Sequence, residues 1–137
     1  MLGIPFGRLK FVIPVLLLLT LGCGNGRELQ SVAVMPAVAD GQSFPNGVPF
    51  SATGTFSKPP SPQQLTSKDV TWCVGGSDGI CAGNIAVRAT VDANGVAKCI
   101  PGATGTATIL AGKGTQPMIP DSGMHMTVFG SAQLSCP

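Results

Sequence analysis

Ala89-Thr90-Val91-Asp92-Ala93-Asn94-Gly95-Val96-Ala97-Lys98-Cys99-Ile100 is the stretch on which the fold turns. Two short apolar runs flank Asp92-Ala93-Asn94-Gly95, and a tight hairpin needs a positive φ, which Gly adopts freely and Asn at modest cost. The reading is therefore a β-hairpin, entered by Ala89-Thr90-Val91 and left by Val96 to Ile100. After the break at Pro101-Gly102, the run Gly105-Thr106-Ala107-Thr108-Ile109-Leu110 alternates, with Ala107 and Ile109 on one face and Thr106 and Thr108 on the other. That pattern marks a half-buried strand with one wet face.

The same period of two recurs on both sides of this hairpin. Residues 29–35 set Leu29, Ser31, Ala33 and Met35 against Gln30, Val32 and Val34, and Pro36 ends the run. Phe50, Ala52, Gly54 and Phe56 alternate with hydroxyl residues, giving a second strand. Residues 69–73 make a third, and residues 125–134 a closing one. Lys58-Pro59-Pro60-Ser61-Pro62 is extended by its prolines and reads as an inter-strand loop. Gly75-Gly76-Ser77-Asp78-Gly79 reads as the most flexible loop, and residues 112–123 as a long Gly/Pro connection. The expected fold is one all-β domain of about seven strands. Trp72, Phe50, Phe56, Val91 and Ile109 are its expected core, the indole serving as an apolar anchor rather than a ligand platform.

With 137 residues the chain has room for a single domain once its N-terminus is set aside. Arg8 and Lys10 precede the apolar run from Phe11 to Leu21, and Gly22-Cys23-Gly24 follows. This has the charged, apolar and small-residue parts of a signal peptide, and its core is short for a membrane span. The expected division is a signal segment at 1–22, a short polar tether at 23–28 and the domain at 29–137. Arg8 and Lys10 account for the whole formal charge of +2, so the remainder is neutral. A neutral body offers no broad basic surface to nucleic acid, and no nucleic-acid partner is expected.

Thr20-Leu21-Gly22-Cys23 resembles a bacterial lipobox, although the first two positions depart from the usual pattern. The resemblance makes Cys23 the lipid-modified, palmitate-bearing first residue of the mature protein, with an ordinary cleaved signal and an uncleaved anchor as the weaker readings. Cysteine parity favours the lipid. The chain has 5 cysteines, and an odd thiol in an exported protein invites mispairing. Assigning Cys23 to the lipid leaves Cys73, Cys81, Cys99 and Cys136 for disulfides. Three pairings of these four exist. Cys73 with Cys81 and Cys99 with Cys136 is favoured, because short loops close most easily. No C-x-x-C spacing occurs, so a zinc site is disfavoured.

Little in the chain offers reactive chemistry. It has one histidine, no tyrosine and no clustered acids, which leaves acid–base pairs and hydrolytic triads without parts. No enzyme activity, cofactor or metal is expected. Met124-His125-Met126 has the soft-ligand content of a copper site, yet in a strand both Met side chains point away from His125. Asp92-Ala93-Asn94-Gly95 begins like a calcium loop, but the closing position is Ala103 rather than a bidentate Glu.

The order of these segments resembles a bacterial Ig-like domain of group 2, found in intimin- and invasin-like surface proteins. The residues that carry the likeness are Leu29-Gln30-Ser31-Val32-Ala33-Val34, the run from Phe50 to Phe56, Leu65-Thr66-Ser67 leading into Val70-Thr71-Trp72, and Ala89 through Asn94-Gly95-Val96 to Ile109. It covers residues 29–110. Departures are the four cysteines, an inserted loop at 74–85, and a single copy. The resemblance implies an immunoglobulin-like β-sandwich on a bacterial lipoprotein, held to the cell envelope by its lipid, facing the periplasm or on the outer membrane. The implied role is a structural or adhesive surface module with a protein or carbohydrate ligand, its loops at 74–85 and 112–123 forming the ligand face if they share one end. The alternatives are a periplasmic metal-handling lipoprotein using Met124, His125 and Met126, and a non-binding structural subunit of an envelope complex.

Overall fold

Ten strands form among the residues that the computed structural model describes, which are 26–82, 88–115 and 124–137. The signal segment 1–22 and Cys23 lie outside them. The strands are β1 (Leu29–Met35), β2 (Val38–Asp40), β3 (Val48–Pro49), β4 (Ser51–Phe56), β5 (Gln63–Leu65), β6 (Thr71–Gly75), β7 (Ala89–Val91), β8 (Val96–Cys99), β9 (Gly105–Thr115) and β10 (His125–Cys136). One turn of 3-10 helix, Gly41–Ser43, follows β2, and there is no α-helix among the described residues.

The hairpin that opens the argument is present as β7 and β8, with Ala89 opposite Cys99 and Val91 opposite Ala97. Its turn differs from the expected one. Gly95 has φ +82°, whereas no residue other than glycine has a positive φ among those described. Asn94 is therefore in an ordinary conformation, and Gly95 alone provides the left-handed step of a type I turn closed by a bulge. The Gly95 N–H donates to the Asp92 carbonyl at 3.1 Å, and the Asp92 N–H to the Val96 carbonyl at 3.1 Å. The Asp92 carboxylate accepts from the N–H groups of Asn94 (2.8 Å) and Val96 (2.9 Å), so it is spent on the turn itself.

The strands form three hydrogen-bonded sheets, ordered β1-β4-β5, β2-β10-β9-β6 and β3-β8-β7. Only Phe50 separates β3 from β4, and its N–H donates to the Gly95 carbonyl at 2.9 Å. The first and third sheets thus meet along residues 48–56. All pairings within the sheets are antiparallel except β2 with β10, which run parallel with Val38 beside Gln133. The N-terminal run is therefore shared, β1 lying along β4 and β2 along β10.

The count of about seven strands is corrected to ten. β2, β3 and β5 are only two or three residues long, too short for alternation to mark them. The loop expected from residue 112 is also corrected, because Gly112, Lys113 and Gly114 continue β9 opposite Phe129, Val128 and Met126. A Cβ on Gly112 or Gly114 would run into the β10 backbone. These glycines permit close strand approach, where the sequence suggested a turn.

The core draws on all three sheets: Val32 and Val34 from β1, Ala52 from β4, Leu65 from β5, Ala89 and Ala97 from the hairpin, Ala107, Ile109 and Ala111 from β9, and Ala132 and Leu134 from β10. Alanine recurs at these crossings, so the layers approach closely. Ile109 is fully buried and Phe50 nearly so, while Trp72, Phe56 and Val91 are half-buried against the same cluster. Truncating Ile109 to Ala would cost roughly 2–5 kcal/mol. β9 is buried on both faces from Ile109 to Gly112, since Leu110 enters a second cluster with Cys81 and Met126.

Candidate functional site

The second cluster supports the end of the molecule where residues 74–82 meet the start of β10. Cys73 and Cys81 are bonded, with Cα atoms 5.6 Å apart. Between them the chain turns tightly. The Gly76 N–H donates to the Ile80 carbonyl (3.0 Å), and the Ile80 N–H to the Asp78 carboxylate (3.1 Å). The segment then joins β10 laterally, with the Cys81 N–H on the Met124 carbonyl (2.9 Å) and the Met126 N–H on the Gly79 carbonyl (2.9 Å). Gly79, at φ +79°, packs where a Cβ would strike the Phe129 ring. A loop expected to be the most flexible is instead a bonded turn on an apolar base of Cys81, Leu110, Met126, Met124 and Phe129.

This turn presents Ile80, which is 43% exposed, beside the exposed His125. His125 pairs with Thr115 on its other side. The described parts of the two loop segments therefore share one end of the molecule, while residues 83–87 and 116–123 lie outside the described residues. Met126 is 1% exposed and Met124 half-buried, both turned into the second cluster and away from the His125 surface. No group of three His, Cys, Asp or Glu side chains that could hold a metal occurs among the described residues.

The other disulfide joins Cys99 to Cys136, Cα atoms 5.8 Å apart, at the far end of β10. Both bridges follow the favoured pairing. This one borders a depression of about 270 Å³ lined by Gln42, Ile100, Pro101, Thr104 and Pro137. Trp72 packs on the hairpin, its Cζ2 lying 2.8 Å from where a Cβ on Gly95 would stand. It also lines a shallow depression of about 240 Å³ with Thr71, Val91 and Asp92. With the Asp92 carboxylate committed to backbone N–H groups, the indole there has a packing role first.

Sequence reasoning missed the N-terminal clamp. Arg27 donates from Nε to the Lys58 carbonyl (3.1 Å) and from Nη2 to the Gln63 side chain (2.8 Å) and the Pro60 carbonyl, while its guanidinium lies 3.5 Å from the Phe56 ring centroid. Glu28 and Ser57 exchange hydrogen bonds beside it, the Glu28 N–H going to the Ser57 hydroxyl at 3.0 Å and the Ser57 N–H to the Glu28 carbonyl at 2.9 Å. Arg27 and Glu28, grouped by sequence with the tether, are therefore attached to the domain. No local pattern signals this, because the partners lie about thirty residues along the chain.

Asp69 lies in a turn before β6, where it accepts from the Thr66 N–H and hydroxyl, each at 2.8 Å. Those bonds, the backbone one foremost, hold its carboxyl below the ordinary aspartate range, and Lys113 and Arg27 add a smaller electrostatic effect. No protein-family model, no curated protein and no solved structure matches this chain.

Proposed function

We propose that the chain is an exported, lipid-anchored surface module with an Ig-like sandwich, presenting the disulfide-bonded 76–82 turn to a protein or carbohydrate ligand. The observation that carries the reading is the bonded turn itself: an exposed apolar residue, Ile80, held on a packed base at one end of an all-β body. Binding residues positioned by a stiff scaffold are the usual arrangement of sandwich loops. The sandwich reading is supported by the shared N-terminal run, β1 with β4 and β2 parallel to β10, and by a core that lies between the sheets. Export is supported by the two disulfides, which persist in oxidising compartments. Burial of Met126 weighs against the metal-handling alternative.

The test is made on full-length protein expressed in a bacterial host. Membrane fractionation with intact mass measurement is expected to find the mature chain in the membrane, beginning at an acylated Cys23 and carrying both bridges. A soluble, unacylated product would remove the anchor. Ligand capture from envelope material and on glycan arrays is then compared with an Ile80→Ser chain. Loss of capture in that variant is the expected result, and capture unaffected by it would remove the 76–82 turn as the ligand face.

A further inference from the structure

The fold builds the same turn around two Asn–Gly pairs. At 92–95 and at 44–47 the glycine N–H donates to the carbonyl three residues earlier, Gly95 to Asp92 at 3.1 Å and Gly47 to Phe44 at 2.9 Å. Gly95 and Gly47 have φ +82° and +103°, while Asn94 and Asn46 keep negative φ. The turns differ in what holds them shut. The Asp92 carboxylate accepts from the N–H groups of Asn94 and Val96, and Gly95 is buried against the Phe50 carbonyl and the Trp72 ring. The carboxylate nearest in sequence to Asn46 is Asp40, and it is taken up by the Gln42 N–H and the Ser43 hydroxyl. Asn46 is exposed, and Gly47 is half-buried under the Val96 and Lys98 side chains.

We infer that Asn46 is a self-modifying position, converted through a cyclic imide to aspartate and isoaspartate with water as the only reagent, and that Asn94 is the same dipeptide held inert. Asparagine is a thermolabile side chain, and a following glycine sets no Cβ in the path of the reaction. The Gly47 nitrogen gives up its proton to solvent base and attacks the side-chain carbonyl carbon of Asn46. The bond from that carbon to the side-chain nitrogen breaks, and ammonia leaves with a proton taken back from solvent. Water then opens the five-membered imide at either carbonyl. The attack requires the turn's hydrogen bond to open, so the cost of opening sets the rate. At 92–95 that cost includes two bonds to a carboxylate, each worth a tenfold factor or more. Opening at the side-chain carbonyl carries the main chain through an added methylene directly before Val48, which is 1% exposed and pairs with Ala97. Opening at the main-chain carbonyl leaves a carboxylate where the sequence has an amide, on a turn covered by the Lys98 side chain.

The folded, oxidised full-length protein is held in mildly alkaline buffer, and a parallel sample is held in urea. Trypsin separates the two sites, with Asn46 in the peptide 28–68 and Asn94 in 89–98, and mass spectrometry with chromatography reads the acid and isoaspartyl forms. In the folded chain Asn46 is expected to convert at least about tenfold faster than Asn94, the worth of one hydrogen bond to a charged group. In urea the two are expected to convert at similar rates. Asp92→Ala, its fold checked by Trp72 fluorescence, is expected to speed conversion of Asn94. Asn94 converting as fast as Asn46 in the folded chain, Asn46 staying intact while the urea sample converts, or an unchanged Asn94 rate in folded Asp92→Ala would each overturn the inference.

Discussion

Removing the Cys99–Cys136 bridge is the perturbation whose size the structure sets most directly. The bridge closes a sequence separation of 37 residues, against 8 for Cys73–Cys81. On the chain-entropy account these crosslinks stabilise by about 3.8 and about 2.5 kcal/mol, through the freedom each removes from the unfolded chain. Replacing each pair by alanine also removes sulfur packing, but each bridge has one cysteine at 6% exposure and one half-buried partner, so that contribution largely cancels in the comparison. The C99A/C136A chain is therefore expected to lose about 1.3 kcal/mol more than C73A/C81A, from a total of about 5–15 kcal/mol for a domain of this size. Urea titration under non-reducing conditions measures both. Trp72 is the only tryptophan, so its fluorescence follows the core without ambiguity. Free energies rather than midpoints should be compared, because an uncrosslinked unfolded chain exposes more surface and raises the slope. A C73A/C81A chain that loses as much as C99A/C136A would refute the loop-closure reasoning and assign the stabilisation to native packing of the second cluster.

Three other outcomes follow from particular contacts. Gly95→Ala places a side chain at φ +82° and against the Phe50 carbonyl and Trp72, so a loss of about 1–3 kcal/mol is expected in the same titration; a neutral effect would mean that the turn has another conformation. Asp92→Ala deprives the Asn94 and Val96 N–H groups of their acceptor and is expected to cost about 1–2 kcal/mol, with faster amide exchange confined to β7 and β8 as the check. The Asp69 carboxyl, lowered by the Thr66 hydrogen bonds, is deprotonated in the fold at pH values where the unfolded chain begins to bind a proton. Its contribution is thus complete above the ordinary aspartate value of 3.8 and is lost as pH falls through the lower folded value. Carbon-detected NMR titration should find its midpoint below the ordinary aspartate range, and Thr66→Val, which removes the hydroxyl but keeps the backbone N–H, should raise it part of the way back.

The strands with strong alternation were legible because one of their faces is buried. Val32 and Val34, the run from Phe50 to Phe56, and Ala107 with Ile109 keep the faces that their period implies. The hairpin was legible from Asp92-Ala93-Asn94-Gly95, although Asn94 carries no positive φ and the aspartate caps the turn. What escaped depends on partners distant in sequence. β2 exists because Val38, Ala39 and Asp40 lie beside Gln133, Leu134 and Ser135, and β9 extends through two glycines because β10 passes over them. The bonded turn at 76–82 misled for the same reason: its composition is that of a flexible loop, and its order comes from Cys73, Met124 and Phe129.

The division of the N-terminal run between two sheets has a mechanical consequence. A pull arriving along the backbone from residue 26 meets β1 first, whose ladder to β4 extends from Leu29 to Met35. Tension directed along that strand is borne by its rungs together in shear, and beyond Pro36 the parallel register of β2 on β10 takes up the remainder. Even after those rungs yield, the covalent tie between Cys99 and Cys136 keeps the intervening segment from paying out. A body fastened at one end and loaded at the other thus has a fixed maximum extension, short of its contour length by the segments enclosed in that tie and in the Cys73–Cys81 bridge.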